Sequence, residues 1–242
     1  MSKIDNYSPD GKWKFDADVS ECFDDMLQRS IPDYEKMREL TLNIGSLYLK
    51  KEGISNVVDI GCSNGLSIQP FVDKFGAYIR SFLIDNSQSM IEQVKRRFAG
   101  WISCGQMHVE CGDIVDTYPA TIADLTLCVL SLQFTPIEER QQILRKIYEH
   151  TAPGGALLLV EKVQGNSAEM DDILTEQYYA MKRANGYTNG QIIDKRRSLR
   201  GVLVDLKPEW NEQLMREAGF KTVQMYWRCL NFCGWVAVKN LT

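Results

Sequence analysis

The feature that most restricts the fold is a change of rhythm at Val57. Downstream of it, short β-branched or aliphatic runs alternate with stretches whose apolar residues recur at helical spacing. Strands are expected at residues 57–60, 79–85, 107–111, 123–130 and 156–160, with helices at 68–75, 89–98 and 136–151 between them. A strand that returns through a helix runs parallel to the one before it, and the helices then cover both faces of the sheet. Two closing strands, 221–229 and 234–239, are too close in sequence for a crossover and read as an antiparallel hairpin. The expected class is α/β, a doubly wound, seven-stranded, mostly parallel sheet.

Two stretches fall outside that rhythm. Residues 1–52 read as an N-terminal helical extension. Phe15, Val19, Phe23, Met26 and Leu27 recur at helical spacing within 15–28. Ser30, with Asp33 three residues later, resembles a capping box opening a second helix that reaches about Lys51. Met37, Leu40, Ile44, Leu47 and Tyr48 would form its buried side, and Gly53 would end it. Residues 166–207 are polar and helix-forming, with Gly186 and Gly190 as breaks, and read as a helical cap inserted into the core. A last helix is expected at 209–218, and Pro153-Gly154-Gly155 reads as a turn. No linker divides the chain, so 53–242, cap included, and the extension form one domain.

Composition narrows the function classes. The chain is 44% hydrophobic and 25% charged, ordinary for a folded soluble protein. No apolar run reaches the roughly 20 residues of a membrane span, and Met1 to Lys14 lacks the apolar region of a secretory signal. The net charge of −4 argues against non-specific nucleic-acid binding. Between Lys182 and Arg200, however, six basic residues stand against Asp194 alone, a local charge of +5. The seven cysteines form no C-x-x-C pair and read as reduced thiols, mostly buried, in a cytoplasmic protein. Cys229 and Cys233 would share one face of a strand. With two histidines and no cysteine cluster, no metal site is expected.

The chemistry-bearing residues sit at strand ends, where doubly wound sheets bind ligands. The first strand runs into Gly61-Cys62-Ser63-Asn64-Gly65. Its glycines permit a tight turn and a close approach to a ligand. The dinucleotide pattern G-x-G-x-x-G fails here, because Ser63 and Leu66 occupy the second and third glycine positions. A nucleoside without a pyrophosphate therefore suits the loop better. Asp85 follows Gly65 by twenty residues at the end of the second strand, beside Asn86. An acid there accepts hydrogen bonds from both ribose hydroxyls, although Asp85 alone also reads as a helix N-cap. Gly112-Asp113-Ile114 ends the third strand, where Asp113 can take an exocyclic amine and Ile114 can pack on a base.

The ordered set resembles the class I S-adenosylmethionine-dependent methyltransferases, whose Rossmann-like sheet has seven strands with the last antiparallel. A narrower resemblance runs from about Trp13 to the C-terminus. Gln28-Arg29-Ser30-x-Pro32-x-Tyr34, Ile84-Asp85-Asn86-Ser87, Leu132-Gln133-Phe134, Lys182-Arg183-Ala184-Asn185-Gly186-Tyr187 and Lys195-Arg196 are similar to the carboxy-S-adenosylmethionine synthase family of tRNA wobble-uridine modification. The resemblance implies a transferase that carboxylates the sulfonium methyl of S-adenosylmethionine using prephenate. It implies a homodimer, with the N-terminal segment or the cap contributing. Tyr34, Gly61, Cys62, Ser63, Gly65, Asp85, Asn86, Asp113, Ile114 and Arg196 would bind S-adenosylmethionine or its carboxylated form. Arg196, read as buried and otherwise unpaired, would hold the added carboxylate. Val129 stands where the family carries an asparagine, and Arg197 replaces a small residue. The alternative is a methyltransferase acting on a small molecule or RNA, direct RNA binding being the less favoured. Sequence names no general base; Tyr178, Tyr179 and Tyr187 are expected mainly as core aromatics of the cap.

Overall fold

A computed structural model describes residues 4–7 and 11–241. Seven strands, β1 (Ser55–Ile60), β2 (Ile79–Asp85), β3 (Met107–Cys111), β4 (Ala123–Val129), β5 (Thr151–Lys162), β6 (Thr222–Cys229) and β7 (Phe232–Val238), form one sheet in the order β3-β2-β1-β4-β5-β7-β6. β7 is antiparallel to β5 and β6, and the remaining neighbours pair in parallel. The order reverses between β1 and β4, so their carboxyl ends open a crevice at the centre of the sheet.

Nine helices accompany the sheet: α1 (Ala17–Ser30), α2 (Tyr34–Ser46), α3 (Gln69–Phe75), α4 (Gln88–Arg97), α5 (Ala99–Ser103), α6 (Ile137–Glu149), α7 (Ala168–Ala184), α8 (Asn189–Leu199) and α9 (Pro208–Ala218), all among the described residues. Successive strand residues point to opposite faces, which divides the core in two. Val58, Leu157, Leu159 and Trp235 pack with Ile143 and Leu144 of α6 and Met215 of α9. Val57, Leu125, Leu127 and Leu158 pack with Phe71 of α3 and Ile91 and Val94 of α4. Burial on both faces explains why β4 and β5 read as continuous apolar runs.

The extension and the cap enclose the carboxyl ends of the strands. Asp16 caps α1, its Oδ1 accepting from the Val19 N–H at 3.1 Å. Val19, Phe23 and Met26 then bury against Met90 of α4 and Trp13. Tyr34 and Met37 of α2 pack on Val160, Trp227 and Phe232. The strap before α1 ties to the cap through the Trp13 N–H, donating to Ser198 O at 3.0 Å, and through the Tyr187 hydroxyl, donating to the buried carboxylate of Asp5.

Local features differ from the sequence expectation. Ser30 closes α1 instead of capping α2; it is buried, with its Oγ 3.3 Å from the Tyr187 hydroxyl oxygen. The chain enters α2 through Asp33 at φ 51°, without a side-chain cap bond. α2 ends at Ser46, because the Leu47 N–H turns back to Ile44 O, leaving Leu47 79% exposed. Pro153-Gly154-Gly155 lies inside β5, where Gly154 and Gly155 exchange backbone bonds with Lys239. Gly190 sits in the first turn of α8, opened by a capping box of Thr188 and Gln191. Cys229 and Cys233 lie on the two strands of the closing hairpin, since the turn is only Leu230-Asn231.

Candidate functional site

The turn after β1 is built from left-handed backbone: Gly61 at φ +61°, Ser63 at +48° and Gly65 at +85°. A Cβ on Gly61 would stand 2.4 Å from Ser131 Cβ, so the loops after β1 and β4 meet where no side chain fits. Asp85 fixes the turn from β2. Its Oδ2 accepts the Ser63 N–H and its Oδ1 the Ser87 N–H, both at 2.8 Å. Each oxygen retains a lone pair for a further donor. Asp85 is not the cap of α4; Ser87 is, accepting the Met90 N–H at 3.2 Å. Burial raises the Asp85 carboxyl above the ordinary carboxylate range, against the pull of the two backbone N–H groups. Asp59, buried one residue before Ile60, lies well above that range through its own burial and then the Asp85 charge.

Two connected spaces open from these strand ends. The narrower cleft is lined by Gly61, Ser63, Asp85, Asn86, Asp113 and Ile114. Asp113 is exposed and its Oδ1 accepts the Val115 N–H at 3.0 Å. The wider cavity, about 770 Å³, lies beneath the cap and is lined in part by Tyr34, Cys62 and Arg196. Gly61, Ser63, Leu130 and Phe134 border both. Thus every residue singled out from the sequence faces the cleft or the cavity except Gly65. A Cβ on Gly65 would lie 2.6 Å from the ring of Phe98, so this glycine serves helix-to-turn packing. The Cys62 thiol is buried and pushed well up, by burial first and then by Asp59 and Asp85, which leaves it protonated and unreactive. The Tyr34 phenol is likewise raised by burial.

Arg196 departs from expectation in one respect. It is exposed on α8 at the mouth of the cavity and makes no hydrogen bond or ion pair among the described residues. Its helix stands over the cavity, so the guanidinium meets solvent and ligand space together. Sequence reasoning missed the other cations there. Lys162, Lys182, Lys195, Arg197 and Arg200 line the same space. Lys162 pairs with Asp205 at 2.8 Å. Lys182, 3% exposed, is pushed down to about 7 by burial and by Lys195, with Asp5 opposing. Lys195 is pushed down to about 8 by burial. The +5 segment was the available signal, but its helical phase against the cavity is set by α7 and α8 packing. Tyr178 and Tyr179 also line the cavity, whereas Tyr187 is buried as expected.

Comparison with known proteins agrees with this geometry. A family model described as a methyltransferase domain matches residues 57–155. The chain is 34% identical to the carboxy-S-adenosyl-L-methionine synthase of Erwinia tasmaniensis over 232 residues, covering 95% of this chain and 92% of that protein. It is 34% identical to the enzyme of the same name from Wolinella succinogenes over 230 residues, covering 95% and 94%. Among solved structures, human N-acetylserotonin methyltransferase in complex with SAM matches with a TM-score of 0.60 at 17% identity, over 92% of this chain and 55% of that one. The putative methyltransferase of Haloferax volcanii in complex with the Trm112 activator gives a TM-score of 0.61 at 14% identity, over 96% and 100%. The structural likenesses establish the class I fold, and the near-full-length identity to the bacterial enzymes places this chain in the carboxy-S-adenosyl-L-methionine synthase family.

Proposed function

We propose that the protein carboxylates the sulfonium methyl of S-adenosylmethionine with prephenate as carboxyl donor, and that the product supplies tRNA wobble-uridine modification in the cytoplasm. The single observation that carries this reading is the cationic cavity beneath α7 and α8, continuous with the cleft at the ends of β1, β2 and β3. The residues present fit the nucleoside. Asp85 has one open lone pair on each oxygen for the ribose diol. The Asp113 carboxylate faces the cleft for the adenine amine, with Ile114 beside it for the ring. Bound S-adenosylmethionine supplies a one-carbon group already activated by a positively charged sulfur.

The protein's own contribution is alignment and charge. Arg196 offers two parallel N–H donors to a carboxylate, a geometry no lysine reproduces. Leu130, Phe134 and Phe232 present apolar surface to the space between cleft and cap and limit the water around the reacting groups. Five of the six basic residues between Lys182 and Arg200 line the cavity, and the sixth, Arg183, pairs with Glu176 at 2.7 Å. Lys182 is buried and Lys195 half-buried in that wall, whereas Arg196, Arg197 and Arg200 are exposed; the two enclosed ammonium groups favour a small anion over an RNA backbone. Incubation with S-adenosylmethionine and prephenate, followed by mass measurement of the bound nucleoside, tests the reading. A nucleoside heavier by one carboxyl group is expected, and unchanged S-adenosylmethionine overturns it.

A further inference from the structure

Lys182 is the most deeply buried cation facing the cavity. Its ammonium makes no hydrogen bond and no ion pair among the described residues, although the side chain is 3% exposed. Two aromatic faces hold it, the Tyr187 ring at 4.7 Å and the Tyr178 ring at 5.6 Å from Nζ to centroid. Cation–π contact positions such a charge but replaces little of the hydration it has lost. The other lining cations are placed differently. Lys162 already has Asp205, Arg197 is exposed and 3.9 Å from Asp194, Arg200 is exposed, and the Lys195 ammonium sits over the Trp13 ring at 4.8 Å. Lys182 is therefore a buried cation aimed into ligand space without a counter-charge in contact. Burial pushes its ammonium down to about 7, and an anion in contact would favour the charged form.

A second anion follows from the two cations together. Arg196 on α8 stands at the cavity mouth, and Lys182 on α7 stands in its wall. We propose that Lys182 selects the carboxyl donor by binding the carboxylate that the donor keeps, while Arg196 stands at the carboxylate that is transferred. This rests on the carboxylation reading above and adds to it a residue that selects the donor. A monocarboxylate donor would leave Lys182 buried and unpaired, which disfavours it; a dicarboxylate satisfies both ends.

Phenylpyruvate is the probe: it is the 2-oxo acid left when the prephenate ring aromatises by losing its carboxylate as carbon dioxide and its hydroxyl as hydroxide, the hydroxide taking the sulfonium methyl proton to leave as water while the methyl carbon bonds the carbon dioxide. Phenylpyruvate carries only the retained carboxylate. Wild type, K182M and K182R are titrated calorimetrically with phenylpyruvate in the presence of saturating S-adenosylmethionine. The expected result is binding to wild type, a loss of about tenfold or more in K182M, the scale of a hydrogen bond to a charged group, and recovery of most of it in K182R. S-adenosylmethionine affinity, measured separately, should be the same in all three proteins and reports correct folding of the cleft. Equal phenylpyruvate affinity in wild type and K182M, or no binding to wild type, overturns the proposal. The carboxylation reading fails separately: wild type that binds phenylpyruvate through Lys182 but yields no carboxylated nucleoside from prephenate keeps the anion subsite and loses the reaction.

Discussion

The Ser63 N–H donates to Asp85 Oδ2 at 2.8 Å, joining the turn after β1 to the end of β2. The bond makes the two sequence motifs one unit. Ser87 takes the other oxygen, so both carboxylate oxygens of Asp85 are held by backbone N–H groups. Replacing Asp85 removes both proposed ribose acceptors and releases the turn. D85A is expected to weaken S-adenosylmethionine binding by about 1.5–3 kcal/mol, the worth of a hydrogen bond to a charged group. Calorimetry on the purified variant checks this, and unchanged affinity would remove Asp85 from the site.

The contact between Gly61 and Ser131 leads to a second test. A side chain at Gly61 meets Ser131 Cβ and must also hold φ near +61°. G61A is expected to cost about 1–3 kcal/mol of stability for the backbone strain alone, with the clash adding to it. In the double variant G61A/S131G the clash goes and the strain remains. The two substitutions should therefore be non-additive in thermal unfolding, with the double variant more stable than G61A. Additive losses would show that the two loops do not meet as described.

The sheet was legible because its determinants are local. Short β-branched and aliphatic runs between helices at period 3.6 located all seven strands, and strand-end acids followed from where such sheets bind ligands. Errors arose where tertiary contact outweighs local preference. Ser30 is a good N-cap by type, yet the fold places it at the end of α1 beside the Tyr187 hydroxyl. Gly154 and Gly155 look like a turn, yet pairing with Lys239 keeps them in β5. Gly65 reads as a ligand-binding glycine, and the close approach of Phe98, 33 positions further on, is a second demand on it that the sequence does not show. The charged wall was only half legible: the +5 segment is plain in the sequence, but which of its cations face inward depends on how α7 and α8 dock.

Glu161 gives a pH-dependent prediction. It is buried at the end of β5, and burial pushes its carboxyl up to about 8, against the stabilising guanidinium of Arg140. A raised carboxyl contributes its stability while protonated. That contribution is complete below the ordinary carboxylate range and is lost as pH rises through about 8. E161Q resembles the protonated acid at every pH. The melting temperature of wild type should therefore fall relative to E161Q between about pH 5 and pH 8.5, with the lysines common to both proteins cancelling in the difference. A pH-independent difference would show that Glu161 does not titrate in that window.

Assembly is tested by mass. Met170 and Ile173 of α7 and Ile193 of α8 are exposed apolar side chains on the cap, each between 44% and 47% accessible. A second copy of the chain covering this region would account for them, and we propose that the protein is a homodimer. Sedimentation at micromolar concentration should give a species of twice 27.7 kDa. M170D/I173D should shift it toward the monomer, and a wild-type monomer would end the idea.

Arg196 is the residue we propose to distinguish the two forms of the nucleoside. Its guanidinium is exposed at the cavity mouth without a partner among the described residues, so no protein contact competes for it. A ligand carboxylate on the sulfonium carbon would take it in a two-bond pair, and plain S-adenosylmethionine offers nothing at that position. Because the site is open to water, solvent screening lowers the gain from the full value of a buried pair. R196A is therefore expected to reduce affinity for the carboxylated nucleoside by about tenfold, the effect of roughly 1.4 kcal/mol, and to leave S-adenosylmethionine affinity nearly unchanged. R196K should fall between, since an ammonium keeps the charge and loses the paired geometry. The measurement is a paired titration of all three proteins with both nucleosides. Equal losses for the two ligands would mean that Arg196 acts on the common part of the molecule, and the carboxylate would then have to be held by Lys195 or Arg197, the neighbouring cations on the same helix.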